Sequence, residues 1–465
     1  MISIDYLPDD VLLAIFHFYV DEASDRAYSK EWVEGWQPLV HVCRQWRSIV
    51  FGSPRRLNLR LGCTPKTPAR DLLDVWPALP LFIWGRDDYP KESVDNITAV
   101  LERSDRVRRV DLRNVPRSHL VNVSAAMQAP FPELTSLKLH SKDETVLVLP
   151  DSFLSGSAPR LQFLVLKGIP FSGLPKLLLS TTHLVSLALY DIPHSGYISP
   201  EIMVAALSML TSLRFLELVF QSPLSRPDWE SRPPPPSTRS VLPVLTYFSF
   251  KGVSEYLDDI VARIDVPRIN ELSMSFFNQI EFDTPQFIQF ISRSPTFKEF
   301  KRACFFFADN GAEVELFSQT PGSGELTVDI PCRELDWQIS SLEQVCTSCL
   351  PSLSALEDLT ISERRQYSRL HWPDTIENTL WLELLRPFTF VKNLYLSGQV
   401  ASRIVPALQE LVGARTMEVL PTLQHIFMEE LQPLGPGQEG IAQFVASRQA
   451  ASHPITVSRW EDPVH

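Results

Sequence analysis

Cys346 and Cys349 enclose two residues in Cys346-Thr-Ser-Cys349, the spacing of a redox pair or of half a zinc site. A structural zinc site needs two more ligands at suitable spacing, and thioredoxin-type exchange needs a βαβ context around the pair. The sequence supplies neither. The stretch around the pair has helical periodicity and sits between repeated segments, where cysteine serves as a small apolar residue. Ten histidines are scattered along the chain, and none pairs with a nucleophile in a recognisable local motif, although a triad can be assembled from distant positions. There is no nucleophile elbow and no phosphate-cradling glycine loop, and glycine is scarce at 17 of 465 residues. A non-catalytic chain is expected, with no cofactor and no metal. A hydrolase, or a thiol oxidoreductase using Cys346 and Cys349, is the remote alternative.

The side chains that remain to do the work are those that bind. Hydrophobic residues make up 44% of the chain and charged ones 21%, the balance of a polypeptide able to bury a large core. A net charge of −12 argues against nucleic acid, which needs clustered positive charge to release counterions. No apolar run approaches the roughly 18 to 20 residues of a bilayer span, and Asp5, Asp9 and Asp10 stand where an export signal would be basic. No membrane contact is expected. Six cysteines, at 43, 63, 304, 332, 346 and 349, are too sparse for a disulfide framework and suit a reducing compartment, so the expected location is cytoplasmic, nuclear or both.

Residues 1–60 read as short amphipathic helices. Leu7-Pro8-Asp9-Asp10 opens the first, with proline at its start and carboxylates in the first turn to complement the helix dipole. Val11, Leu12, Ile15, Phe16 and Tyr19 recur at helical spacing, yet Leu13, Ala14, Phe18 and Val20 leave almost no polar face. Such a helix needs cover on two sides, one of them a partner or the rest of the chain. A second helix is expected through Leu39, Val40, Val42, Cys43, Trp46, Ile49 and Val50, ending at Gly52-Ser53-Pro54.

The string Leu-Pro-Asp-Asp-Val-Leu-Leu-Ala-Ile-Phe from Leu7, with Val42-Cys-Arg-Gln-Trp46, resembles the F-box. In that family these aliphatics pack on the Skp-type adaptor of a cullin-RING ubiquitin ligase, and the second string lies on a third helix. The resemblance makes Leu7, Pro8, Val11, Leu12, Ile15 and Phe16 the adaptor contacts, with Val42, Cys43 and Trp46 as further contacts or motif core. Residues 21–37 depart from the family as a longer, more polar insertion.

Beyond a connecting segment and N-terminal cap at 61–105, residues 106–430 repeat apolar-x-x-apolar-x-apolar. Units begin at Val107, Leu134, Leu161, Leu184, Leu213, Leu245 and Ile269, 23 to 32 residues apart. After a blurred stretch they return at Leu356, Val391 and Leu423. These intervals bracket the roughly 20 to 29 residues of leucine-rich repeats. The final alternation of each unit places apolar side chains on one face of a strand, and Ile202–Met209 and Phe287–Ile291 have helical spacing between strands. The expected fold is α/β: a helical F-box followed by a curved solenoid of divergent leucine-rich repeats, its parallel sheet on the concave face. The asparagine or cysteine ladder of regular repeats is missing. Pro223–Pro243, with Arg232-Pro-Pro-Pro-Pro-Ser, reads as a polyproline-prone insertion. Residues 431–465 read as a C-terminal cap or tail.

From about residue 325, Leu335-Asp-Trp-Gln, the stretch from Trp381 to Leu396 and Val419-Leu-Pro-Thr-Leu-Gln resemble the C-terminal half of the expanded F-box families of mushroom-forming fungi. The resemblance implies a substrate-recognition subunit of an SCF-type ligase, partnered by the Skp-type adaptor, through it by cullin, and by a protein client. A cullin-independent interaction scaffold is the alternative, left open by the insertion at 21–37. Period-two alternation turns Lys138, His140, Lys167, Tyr190, Glu217 and Lys251 toward the client, with Val165, Ala188, Val219, Ser249, Ser273 and Ser275 in the same rows. Deleting residues 21–34 is expected to leave the fold intact, because a polar insertion between amphipathic helices belongs in solvent. Circular dichroism and a thermal melt of the deletion check this; wholesale insolubility would show that the segment is packed.

Overall fold

All ten repeated segments form strands in the computed structural model, which describes residues 7–25, 35–87, 89–90, 93–143, 147–225, 238–277, 284–318, 324–348, 350, 353–364, 376–411, 413–429 and 436–460. Cys349 and the prolines 233–236 lie outside the described residues. The chain divides into two compact units, one up to Tyr197 and one from Ile198.

The first unit opens with α1 (Asp9–Asp25), α2 (Gln37–Val40) and α3 (Arg44–Gly52). Then come β1 (Leu61–Cys63), α4 (Ala69–Val75), β2 (Leu81–Arg86), α5 (Ser93–Leu101), β3 (Val107–Val115) and α6 (Arg117–Ala126). β4 (Ser136–Ser141), β5 (Phe163–Lys167), α7 (Leu174–Leu178) and β6 (Ser186–Ile192) complete it. These strands pair in sequence order and all run parallel. Register sets Ile83, Val110, Leu137, Leu164 and Leu187 in one row and Leu112, Leu139, Leu166 and Leu189 in the next. Every one of them is buried, each contributing about 2 kcal/mol of apolar burial.

Three expectations change here. β1 and β2 are full members of the sheet, although residues 61–105 read as connection and cap; Leu81-Phe-Ile-Trp is apolar throughout, so its alternation is invisible in sequence. The single helix expected through Leu39–Val50 is broken. α2 stops at Val40, Cys43 is extended, and its sulfur accepts the Trp46 backbone N–H at 3.5 Å as the cap of α3. The polar insertion also ends earlier than its composition implies. Trp36 is fully buried, donates its indole N–H to the Arg60 carbonyl at 2.9 Å, and meets Phe51 and Trp76 edge-on.

The second unit contains α8 (Pro200–Leu207), β7 (Phe215–Phe220), β8 (Ser240–Val241), β9 (Tyr247–Gly252), α9 (Ser254–Arg263), β10 (Ile264–Asp265), β11 (Glu271–Phe276) and α10 (Pro285–Arg293). β12 (Arg302–Ala308), β13 (Gly311–Phe317), β14 (Glu325–Ile330), α11 (Leu335–Ser348), β15 (Asp358–Glu363) and α12 (Asn378–Leu385) follow. β16 (Asn393–Leu396), α13 (Gly398–Gln409), β17 (His425–Met428), α14 (Pro436–Ala450) and β18 (Thr456–Arg459) close it. The main sheet runs β7-β9-β11-β14-β13-β12-β15-β16-β17-β18, with β8 and β10 as a separate parallel pair. It is not wholly parallel, as the repeats alone imply. In the blurred stretch β13 is antiparallel to both neighbours, because a tight turn at Asp309-Asn310 folds β13 back along β12. Gly311 fits that turn: a Cβ there would stand 2.8 Å from the Ile330 carbonyl oxygen.

Polar contacts replace the missing asparagine ladder. The residue just before each strand donates its backbone N–H to the equivalent carbonyl of the preceding unit: Thr135 to Arg108, Gln162 to Thr135, Val185 to Gln162, Asn270 to Thr246, Lys392 to Glu357 and Gln424 to Lys392, at 2.8–2.9 Å. Where that residue is threonine, as at 135 and 246, its hydroxyl reinforces the same carbonyl. Helices are joined as well. Buried Asp258 of α9 accepts the N–H groups of Gln286 and Phe287 at 2.8 and 3.0 Å, capping α10, whose own Thr284 side chain makes no cap bond. At the C-terminal end, fully buried Arg448 donates to the carbonyls of Val419 and Leu420 at 2.7 and 2.9 Å. Asp258→Ala is expected to cost about 2 kcal/mol, a helix cap lost from a buried position. A urea titration followed by circular dichroism measures it; an unchanged midpoint would mean that the cap is redundant.

Candidate partner-binding surfaces

α1 carries two stripes. Leu12, Leu13, Phe16 and Val20 are buried, and Phe16 lies against Trp46 of α3 with ring centroids 4.6 Å apart. Gln45 Nε2 donates to Asp9 Oδ1 at 3.1 Å, and Arg47 Nε donates to the Val40 carbonyl at 2.9 Å, fixing α3 on α1 and α2. The other stripe, Val11, Ile15, Phe18 and Tyr19, keeps the i, i+4, i+7, i+8 spacing of one helix face, and Phe18 is 77% exposed. The expected adaptor contacts therefore divide. Val11, Ile15 and Pro8 are exposed, Leu7 is half-buried, and Leu12 and Phe16 belong to the module's own core. Val42 is exposed, while Cys43 and Trp46 are half-buried.

On the sheet of the first unit, the side chains opposite the leucine rows form a charged surface. Asp111 on β3 sits directly across from Lys138 on β4, and Arg86 on β2 across from Arg113 on β3. Arg113 donates to both Asp111 oxygens, at 2.9 and 3.2 Å, and Arg109 comes within 3.5 Å of the same carboxylate. Burial works to raise the Asp111 carboxyl, but the Arg113 hydrogen bond and the charges of Arg113, Lys138 and Arg109 overcome it and hold it below the usual carboxylate range. His140, Lys167 and Tyr190 share a row, and Lys167 pairs with Asp191 at 3.4 Å. His140 is held below the ordinary histidine range, first by burial and next by Arg113, so its imidazole is neutral near pH 7. Lys138, His140 and Tyr190 are half-buried, Lys167 is exposed, and Ala188 is buried.

The expected surface rows begin at Lys138 and so miss Arg86, Arg109, Asp111 and Arg113. The unit at Val107 carries the same alternation one repeat earlier and reveals three of them. Arg86 lies on a strand that composition hides.

Glu217 and Lys251 lie in the second unit, both half-buried. Its sheet face is of a different kind. The middle row runs Glu217, Ser249, Ser273, Thr327, Glu315, Cys304, Thr360, Tyr395 and Phe427. Tyr395 and Phe427 stack at 4.6 Å, and Trp460 meets Tyr395 at 5.6 Å. Arg364 bridges Glu313 at 2.6 Å and Glu315 at 3.6 Å. Burial pushes the Cys304 thiol up to about 11, the reverse of what a nucleophilic thiolate requires. Cys346 is buried within α11. Among the described residues no His, Cys, Asp and Glu gather as a metal site, and no helix is long and apolar enough to cross a membrane.

No family model and no curated protein matches the sequence. Among the solved structures that are loosely similar are the following two. The leucine-rich repeat-containing protein LegL7 from Legionella pneumophila is 13% identical, with 72% of this chain and 95% of that chain covered and a TM-score of 0.29. A chain of the Rad7 and Elc1 complex in yeast is 14% identical, with 96% and 94% covered and a TM-score of 0.26.

The carboxylates of the second face give it a pH dependence. Burial, and then the charge of Glu313, push Glu315 up to about 7, against the pull of Arg364. An unfolded glutamate titrates near 4.3, so between these values the folded state holds the extra proton. The contribution is intact below about pH 4 and is lost as pH rises through about 7. The urea midpoint is expected to fall from pH 5.5 to pH 8, and Glu315→Gln to shrink that fall. An equal fall in the variant would place the titration elsewhere.

Proposed function

We propose that this chain is the substrate receptor of a cullin-RING ubiquitin ligase, docking a Skp-type adaptor through α1 and α3 and holding a protein client on its sheet. The observation that carries the reading is the outward stripe Val11, Ile15, Phe18 and Tyr19, which follows the Leu-Pro of the F-box-like string and is not used by the module's core. Apolar side chains aligned on one exposed helix face are what a partner's groove buries. Leu7, Pro8 and Val42 would extend that contact. Leu12 and Phe16 would support it from beneath, with Trp46 holding Phe16 in place.

In this reading no residue of the chain is catalytic. One surface holds the ligase scaffold and another holds the client, raising the client's local concentration near the ubiquitin-loaded enzyme. The chain would act in the cytoplasm or nucleus, where such ligases meet their clients. The prolongation of α1 to Asp25, into the insertion, favours a second reading in which the adaptor, or another partner, is bound without cullin. An adaptor pulldown probed for cullin separates the two.

Replacing Ile15 and Phe18 with aspartate is expected to weaken adaptor capture at least roughly tenfold while circular dichroism stays unchanged, because a few buried apolar anchors carry most of an interface. Leu12→Ala is expected to destabilise the module by about 2–4 kcal/mol instead. Full capture by the double aspartate variant would remove α1 as the docking face.

A further inference from the structure

The sheet face of the first unit is a strip of positive charge in a chain whose net charge is −12. Arg86, Arg109, Arg113, Lys138 and Lys167 occupy four adjacent strands, β2 to β5, facing away from the leucine rows. Among the described residues, Asp111 lies within the strip, Asp191 pairs with Lys167 from the neighbouring β6, and Asp87 follows Arg86 at the end of β2, three carboxylates against five cations. At about 4.8 Å between strands, the strip is roughly 14 Å wide, the length of four or five residues of extended chain.

The arrangement of the cations narrows what can bind. A phosphate is best held by arginine forks converging on one point. Here the Arg113 fork is already closed on Asp111 through both oxygens, and Arg109 leans on the same carboxylate. What is left over is spread, one cation or so per strand. Spread single charges match a row of carboxylates better than one dianion.

We propose that this strip binds an acidic, glutamate- or aspartate-rich segment of the client in extended form, with Lys138, Lys167, Arg86 and Arg109 pairing its carboxylates. The proposal rests on the receptor reading for its biological meaning, and on the sheet face alone for its chemistry. Asp111 is then a brake: it orients the arginines and withholds part of their charge.

The test is fluorescence polarisation with the full chain and four dye-labelled probes. These are a peptide alternating glutamate with serine, its glutamine counterpart, the glutamine peptide carrying one phosphoserine, and a single-stranded oligonucleotide. The glutamate peptide is expected to bind best and to weaken as salt rises, since the pairs are solvent-exposed. Arg109→Gln, Lys138→Gln and Lys167→Gln together are expected to weaken it at least roughly tenfold. Asp111→Asn should tighten it, a gain that loss of folding cannot imitate. Equal binding of the glutamine peptide, indifference to the triple substitution, weaker binding by the asparagine variant, or tighter binding of the phosphopeptide or oligonucleotide would each overturn the inference. Because the adaptor is absent from this assay, adaptor capture with no peptide binding would refute the strip alone, and peptide binding with no adaptor capture would refute the receptor reading alone.

Discussion

Each repeat leaves an unpaired strand edge and a row of leucines that only its neighbours can close. Isolated, such a unit would expose backbone N–H and carbonyl groups together with apolar surface, and neither is affordable alone. Stacking solves both at once. The N–H just before one strand reaches the carbonyl just before the previous one, as Gln162 reaches Thr135 and Thr135 reaches Arg108, and this fixes the register that places Leu164 beside Leu137 and Leu137 beside Val110. A slip of one residue would turn every leucine to the polar side. The rest of the structure depends on this register.

Because the leucines take one face, the composition of the other face is unconstrained by the core. The two units use that freedom differently. The first places arginines and lysines around one held carboxylate, Asp111. The second crowds Glu313 and Glu315 two residues apart on one face of β13, with Asp329 directly opposite Glu313 and Arg364 bridging the two glutamates, and sets stacked aromatics farther along the same sheet face. Charge that is poorly compensated is stored in the second face as a raised glutamate and displayed in the first as a surplus of cations.

The strands were legible where the leucine rhythm was clean, because period-two burial is a local property of sequence. Helices α8 and α10 were legible for the same reason at a period near 3.6. What escaped was non-local or masked by uniform apolarity. β2 is apolar on both sides, so it carries no alternation, and the reversal at β13 depends on a tight turn and on which neighbour is free to pair. The break between α2 and α3 hangs on one cysteine sulfur accepting a backbone N–H, a contact that cysteine's usual role as a small apolar residue does not announce. Of the residues expected to meet an adaptor, sequence gave the stripe but not its sides. It could not tell Leu12 and Phe16, which face Trp46 and the core, from Val11 and Ile15, which face out.

That division on α1 would let one short helix serve folding and, in the proposed reading, docking together. The buried and exposed stripes occupy different sides of the helix, so the side chains that hold α1 to α3 are not those a partner would cover. Substitution on the outer stripe changes the area available to a partner and little of the module's packing; substitution on the inner stripe does the reverse. The sheet face is decoupled from both, since in a stacked array the stability of each strand is set chiefly by its immediate neighbours. In the proposed reading, altering the polar residues of a few strands would change the client, while the leucine rows that hold the register and the outer stripe of α1 would stay as they are.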